Sequence, residues 1–436
     1  MQTRPTSSRK GGSLDLDQTA GKFDIRPLQG SFSGTLSHLP NGSPSLRKNS
    51  DDLTRLRLLK LIRRQSGISR TELADRAGLT KSTVTAIVGD MIGTGLIREN
   101  VVPAIGRGRP RISLAIAEDR GHAVALFPLS DGTASIDIVN LQGERLFSCM
   151  SALGDLTDLV SLPARLTGCI EAAVATSKLD RTSIRGVGVV IPGHVDRHGG
   201  VIHWLPPAAP HAPMRLGSEL SKLLGLPVTL ENRASILARA EHWFGEDGSQ
   251  DDFTLIALME LGMGAARYAG GTLQSGFHGM NSEFGHVKVA FECGRACHCG
   301  GTGCLVTYAS AIGIVTSTGL TGDLPRDLAA FSASFKRSVE DALQGEPAAV
   351  AAFDLAGRAL GTAIASHVNE QDPGRVVVQT LHPQHGPLMQ PALLKTVASQ
   401  VLPSLLERTN IRLQPVDEDN IWRGSASLAL ERIYTD

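Results

Sequence analysis

Glu283-Phe-Gly-His286-Val-Lys-Val-Ala-Phe-Glu-Cys293-Gly-Arg-Ala-Cys297-His-Cys299-Gly-Gly-Thr-Gly303-Cys304 holds four of the chain's six cysteines and two histidines in one short stretch. A tetrahedral zinc site takes four soft or borderline ligands, commonly three thiolates and an imidazole. His286, Cys297, Cys299 and Cys304 supply that set, and the glycines between them let the loops fold back on a metal. Cys293 is a fifth candidate outside the tightest cluster. Buried thiols or disulfides are the other reading of the same residues. The dense spacing, in a chain of intracellular character, favours zinc.

The 436 residues bound the rest: two to four domains, 42% apolar and 20% charged residues, and zero net charge. Affinity for nucleic acid must then come from a local patch. No stretch reaches the ~18 uninterrupted apolar residues of a membrane span, and the N-terminus lacks the apolar core of a secretory signal. The expectation is a soluble, cytoplasmic protein with no membrane partner. Residues 1–50, rich in Ser, Gly, Pro and basic residues, read as a disordered tail.

Order is expected from Asp51-Asp52, an N-cap for a helix that buries Leu53, Leu56, Leu59 and Leu61-Ile62. Gly67 breaks it. Ser69 to Ala77 forms a short helix closed by Gly78, and Thr80 opens another that turns Val84, Ile87, Val88 and Met91 inward. Helix, tight turn, then a helix opening in small hydroxyl residues is the helix-turn-helix pattern. The second helix would lie in the major groove with Lys81, Ser82, Thr83 and Thr85 toward DNA, and Arg70 joins them from the helix before. Two strands follow, starting at Gly95 and at Ile112. The basic, glycine-rich tip between them carries Arg107 and Arg109 and suits a wing contacting the minor groove.

From Gly121 the pattern changes to strands alternating with helices. Residues 122–126, 134–140 and 144–150 read as a meander; 159–177 is an amphipathic helix, and 184–191 a buried strand. Further strands are expected at 228–230, 253–259 and 375–380. Helices are expected at 234–244, 305–318, 325–344, 348–370, 391–406 and 425–434. The plan is α/β with two lobes, and the cleft between lobes is the default ligand site. The expected domains are the tail at 1–50, a winged helix-turn-helix at 51–117, a first lobe at 118–231 completed by 420–436, and a second lobe with the zinc loop at 232–419.

Three runs carry a family likeness: Gly188-Val-Val-Ile-Pro192-Gly193-His-Val-Asp196, Glu231-Asn232-Arg-Ala with Glu241-His-Trp-Phe-Gly245, and Ser282-Glu-Phe-Gly-His286 with Cys297-His-Cys299-Gly-Gly-Thr-Gly-Cys304. Together they resemble the ROK family of bacterial repressors, open reading frames and sugar kinases, over residues 51 to 436. The resemblance implies a two-lobed actin-like, RNase H-like body, zinc on His286 and the three cysteines, and a sugar site at Asn232, Glu283 and His286. A winged helix ahead of the body is how the family's transcriptional regulators differ from its kinases.

The chemistry of phosphoryl transfer is missing. A kinase of this fold cradles phosphate on a glycine turn after its first strand, where this chain has Pro128-Leu129-Ser130-Asp131-Gly132. Proline removes an N–H donor, and Asp131 brings negative charge. The family's catalytic aspartate is Arg233 here, and a guanidinium cannot accept a proton at neutral pH. By the same resemblance, the adenosine turn is Gln379-Thr380-Leu381, the second phosphate turn survives only in part as Leu261-Gly262-Met263-Gly264-Ala265-Ala266, and the family's sugar-holding glutamate is Val306. The expectation is a regulator, not an enzyme, with no bound ATP. Arg233 either anchors an acidic or phosphorylated sugar in the cleft or pairs with Glu231 or Glu241.

The leading reading is therefore a DNA-binding transcriptional regulator, a repressor, controlled by a carbohydrate-related effector. It would act on palindromic operator DNA as a homodimer or dimer of dimers, with one structural zinc per chain. Its rivals are a sugar kinase fused to a DNA-binding domain and a zinc-responsive regulator.

Overall fold

The computed structural model describes residues 44–102, 111–129, 131–205, 213–245, 252–259, 262–319 and 328–435. Three helices come first, α1 (Pro44–Arg64), α2 (Arg70–Ala77) and α3 (Lys81–Gly93), then a hairpin of β1 (Ile97–Val102) and β2 (Arg111–Ile116). The hairpin is antiparallel, pairing Ile97 with Ile116 and Val102 with Arg111. Leu59, Ile62, Leu73, Val84, Val88, Met91 and Leu114 interlock as the core of this head. Local chemistry sets the helix ends. Ser69 and Glu72 form a reciprocal capping box at α2, Gly78 closes it in the left-handed region at φ 63, and the Thr80 hydroxyl caps α3 by accepting from the Thr83 N–H. The first helix starts at Pro44, ahead of the expected Asp51-Asp52 cap. Proline's fixed φ suits a first helical position, so the helix extends where no apolar periodicity signals it. Leu53, expected inside, is 42% exposed.

The body repeats one topology twice. β3 (His122–Pro128), β4 (Thr133–Asn140) and β5 (Arg145–Ala152) form a meander, followed by α4 (Leu162–Ser177), β6 (Ile184–Val190), the hairpin β7 (His194–Asp196) and β8 (Val201–Trp204), α5 (Leu216–Leu224) and β9 (Val228–Glu231). The first sheet has the order β5-β4-β3-β6-β9, antiparallel on the meander side and parallel from β3 onward. Then come α6 (Arg233–Phe244), β10 (Phe253–Leu258), β11 (Met263–Ala269), β12 (Thr272–Leu273), α7 (Val306–Ala309), α8 (Ala311–Ser317), α9 (Leu328–Leu343) and α10 (Pro347–Gln371). β13 (Arg375–Thr380), α11 (His385–Gln400), α12 (Pro403–Leu406), β14 (Asn410–Pro415) and α13 (Glu418–Thr435) finish the chain. The second sheet, β12-β11-β10-β13-β14, has the same antiparallel-then-parallel scheme.

Two helices bind the halves together. α6 packs Ala234, Leu237 and Ala238 on the second sheet, while α13 packs Ala426, Ala429 and Ile433 against Ala123 and Ala125 of the first. The two helices touch closely at Gly424, where a Cβ would stand 2.0 Å from the Ile236 carbonyl oxygen. α10 is apolar and long enough to cross a membrane by composition. Its Phe353, Ala356, Leu360 and Ile364 are instead core residues of the second lobe.

Several element boundaries differ from expectation for local reasons. The expected helix 305–318 is two helices, because Ser310 turns extended (φ −78, ψ 169) and caps the second by accepting from the Gly313 N–H. Pro391 lies inside α11 rather than opening a helix, and a second break precedes Pro403. The helix outlasts one lost backbone hydrogen bond because Met389, Leu393 and Val397 are buried beneath it. The last helix starts at Glu418, ahead of the expected Ser425.

His385, at the start of α11, is fully buried between Phe335 and Phe353, and burial pushes its imidazole down to about 3. Its two ring nitrogens lack hydrogen-bond partners among the described residues. The folded state thus refuses a proton that the unfolded chain takes up near pH 6.5. The stabilisation is complete above that pH and is lost as pH falls toward 3, at about 1.4 kcal/mol per unit. Between pH 7 and pH 5, urea unfolding of the wild type should lose about 2 kcal/mol more than that of His385→Leu. Equal losses in the two proteins would exclude His385 as a source of acid sensitivity.

Candidate functional site

The head presents the first turn of α3. Lys81, Ser82, Thr83 and Thr85 are all exposed there. Thr80 Oγ1 lies 2.8 Å from Thr83 Oγ1 and 2.9 Å from Ser82 Oγ, while the Thr85 hydroxyl donates to the Lys81 carbonyl at 2.7 Å. Arg70 forms an ion pair with Glu99 of β1, so its charge is partly spent inside the head. Arg107 and Arg109 lie outside the described residues.

The head docks on the C-terminal end of α6. Arg63 donates to the Trp243 carbonyl at 2.5 Å and lays its guanidinium 5.2 Å from the Trp243 ring and 4.4 Å from the Phe244 ring. Lys60 stands 5.0 Å above the same indole, and Arg64 donates to the His242 carbonyl at 3.0 Å. Burial pushes the Arg63 guanidinium down to about 10 and the His242 imidazole down to about 2. Trp243, 1% exposed, stacks on Tyr434 of α13 at 5.9 Å.

The four expected metal ligands come together. His286 Nδ1 lies 3.6 Å from Cys297 Sγ, and Cys299 Sγ lies 3.7 Å from Cys304 Sγ. Tetrahedral zinc with Zn–S near 2.3 Å and Zn–N near 2.0 Å has edges of about 3.8 Å between sulfurs and about 3.5 Å between nitrogen and sulfur. The two measured edges fit. All four donor atoms lie within 4.8 Å of one another. Burial pushes His286 down to about 4, which leaves a neutral imidazole free to ligate, and pushes the Cys297 thiol up to about 12. Such a thiol keeps its proton at neutral pH unless a cation displaces it. All six cysteines are free thiols, so the disulfide reading has no support. Cys293 is exposed, with a positive φ of 52, and is not in the ligand group.

The frame of this loop is backbone pairing. Val289 donates to Gly303, Cys297 to Gly301, and Leu305 to Val287, each at 2.8 or 2.9 Å. Arg295 ties the loop to the second lobe, donating to the Thr307 and Gly313 carbonyls over the Tyr308 ring.

Asn232 caps α6, its Oδ1 accepting from the Ser235 N–H at 2.9 Å. Its own N–H donates to Glu231 Oε1, which also accepts from Asn281 Nδ2, both at 3.0 Å. One buried carboxylate thereby joins the start of α6 to the loop leading into Glu283. Arg233 spreads over Phe127 of β3, 5.3 Å from the ring centre. Glu231 also meets Arg239 at 3.7 Å and Arg197 at 4.0 Å, and Glu241 meets Arg375 at 2.8 Å.

Glu283 faces His194 of β7, with Nε2 and Oε2 3.4 Å apart, and displacement of water by the surrounding protein pushes its carboxyl up to about 7. A run of rings continues from there. His194 meets Trp204 edge-on at 5.1 Å, Trp204 tilts onto His298 at 5.5 Å, and His298 meets His286 at 5.3 Å. His194, Trp204 and His298 are site residues that sequence reasoning passed over. His194 was open to discovery, since it follows the Pro192-Gly193 turn at the carboxyl end of a buried parallel strand, where α/β ligand sites gather.

The Asp131 carboxylate accepts from the Thr133 N–H at 2.9 Å and from its hydroxyl at 2.6 Å, and these bonds hold it below the usual carboxylate range. At the second turn, a Cβ on Gly264 would stand 2.8 Å from Ala234 Cβ.

A duplicated body of this topology is that of sugar kinases and their relatives, and a winged helix-turn-helix places the chain among the DNA-binding regulators built on it. The chain belongs to the ROK family: the family's sequence pattern matches residues 161–432, and that of winged helix-turn-helix DNA-binding domains matches 51–98. The DNA-binding transcriptional dual regulator NagC of Escherichia coli (strain K12) is 27% identical over 368 residues, 81% of this chain and 86% of that protein. The glucokinase of Thermotoga maritima is 30% identical over 254 residues, 57% of this chain and 80% of that one. A crystal structure of a ROK family transcriptional regulator, a homolog of the E. coli MLC protein, superposes with a TM-score of 0.72 at 27% identity, covering 88% of this chain and 97% of that one.

Proposed function

We propose that the protein is a transcriptional repressor whose body binds a carbohydrate-derived effector and transfers no phosphate. The observation that carries the loss of catalysis is Arg233, which stands in place of a general base and lies over Phe127 at the mouth of the first phosphate turn. Asp131 uses an N–H of that turn. A cation at the head of α6, where the helix dipole is also positive, favours an acidic or phosphorylated sugar. Asn232, Glu283 and His286 take its hydroxyls, with one zinc on His286, Cys297, Cys299 and Cys304 holding the loop.

DNA contact falls to Lys81, Ser82, Thr83 and Thr85, with Arg70, Arg107 and Arg109 on phosphate or minor groove. The domains divide at 51–117, 118–231 with 420–436, and 232–419. A cytoplasmic homodimer matches the two-fold symmetry of operators read by such heads. α6 carries the signal: its first residues, Asn232 and Arg233, face the effector, and its last, Trp243 and Phe244, hold α1. Twelve helical residues span about 18 Å as one rigid rod. Effector that prefers one lobe arrangement thereby shifts the population of head positions.

Titration calorimetry with glucose, glucuronate and glucose 6-phosphate, beside an assay of ATP turnover with the same sugars, tests this reading. Binding of the anionic sugars without ATP consumption is expected. Tightest binding to glucose would overturn the anionic preference, and sugar-dependent ATP hydrolysis would overturn the loss of catalysis.

A further inference from the structure

Lys288 lies two residues beyond His286 and reaches back across the metal loop. Its backbone bridges to Cys304, and its Nζ sits 2.9 Å from Cys304 Sγ. The track of that side chain runs over Gly301, where a Cβ would stand 2.6 Å from Nζ and 3.6 Å from Cys299 Sγ. A side chain at 301 would therefore contest the ammonium's seat. The loop thus keeps a place for a cation against its sulfurs.

We propose that Lys288 is a positioning residue of the metal site: its ammonium donates a charge-assisted hydrogen bond to the Cys304 thiolate and restrains metal release. The inference rests on the zinc reading of His286, Cys297, Cys299 and Cys304. Three thiolates, one neutral imidazole and a divalent cation leave a net charge of −1 on the cluster, and one ammonium at hydrogen-bond distance cancels it. Cys304 is fully buried, so its sulfur cannot be neutralised by water. Partners outside the ligand set commonly govern metal affinity by about 10- to 100-fold.

Two substitutions separate the ammonium's position from its mere presence. Lys288→Met removes the charge and keeps the stem. Gly301→Ala keeps the charge and every ligand but takes the seat, at little cost to the fold because the displaced atom ends a flexible side chain. Zinc release from the full-length protein into excess chelator should run about tenfold faster in both variants, with Lys288→Arg restoring part of the retention. In the cobalt-loaded proteins, the thiolate-to-cobalt charge-transfer band should shift in Lys288→Met and in Gly301→Ala. Wild-type release rates in either variant overturn the proposal. Zinc-free wild-type protein, purified and reloaded without uptake, overturns the metal reading itself and this inference with it.

Discussion

Trp243→Ala should destabilise the protein by about 4 kcal/mol and free the winged head from the body. The indole is 1% exposed and is shared by three elements: it lies under Lys60 and Arg63 of α1 and stacks on Tyr434 of α13. Its removal leaves a cavity at the junction and takes the aromatic face from two cations. Arg63, whose guanidinium burial already holds well below the ordinary arginine value, keeps the Phe244 ring and the residue-243 carbonyl but loses the indole. Cation–π contacts of this desolvated kind contribute about 2 kcal/mol each. Urea unfolding measures the total, and hydrogen exchange in α1 locates it. The variant should still bind effector in the cleft, since Asn232 and Glu283 are untouched, yet operator affinity should no longer respond. A loss under about 1 kcal/mol, with α1 as protected as before, would exclude α6 as the link.

The sequence carries the two-lobed plan and the head because both rest on strong local signals. Ser69 and Glu72, Gly78 and Thr80 mark helix ends by chemistry that acts within four residues. The strands β3, β6, β10 and β13 are buried on both faces and show as apolar runs. β14 is half-exposed along its length, so no such run announces it. Family resemblance reads Met263-Gly264-Ala265-Ala266 as part of a phosphate turn; these residues lie in strand β11, which pairs along the whole of β10. The grouping of His286 with Cys297, Cys299 and Cys304 is legible from spacing. The ring run through His194, Trp204 and His298 was not, because its members come from the β7–β8 hairpin and the metal loop, far apart in sequence. The docking of α1 on α6 was hidden for the same reason: Arg63 and Trp243 meet only through the fold.

Replacing both Cys297 and Cys304 by serine should empty the metal site and unmake the loop between Glu283 and Leu305. Serine hydroxyls stay protonated at neutral pH and are poor zinc ligands, so two of four coordinating bonds are lost. Both cysteines belong to the second lobe's core, packed with Phe284, Leu305 and Val306. Loss of the metal therefore reaches the cleft directly, since Phe284 adjoins Glu283, and His298, between two ligands, packs at a tilt against Trp204. Zinc content should fall from about one per chain to near none, and the melting temperature by roughly 10 °C if structural zinc supplies a few kcal/mol here. Exchange protection should vanish at the Val289, Cys297 and Leu305 amides, whose bonds close the loop. The head should keep its protection, because its core of Leu59, Val84 and Met91 shares no residue with the metal loop. Retained protection at those three amides in metal-free protein would mean that backbone pairing and Arg295 alone hold the loop, and would deny zinc its structural role. Simultaneous loss of head and loop would contradict the separation of DNA binding from metal binding.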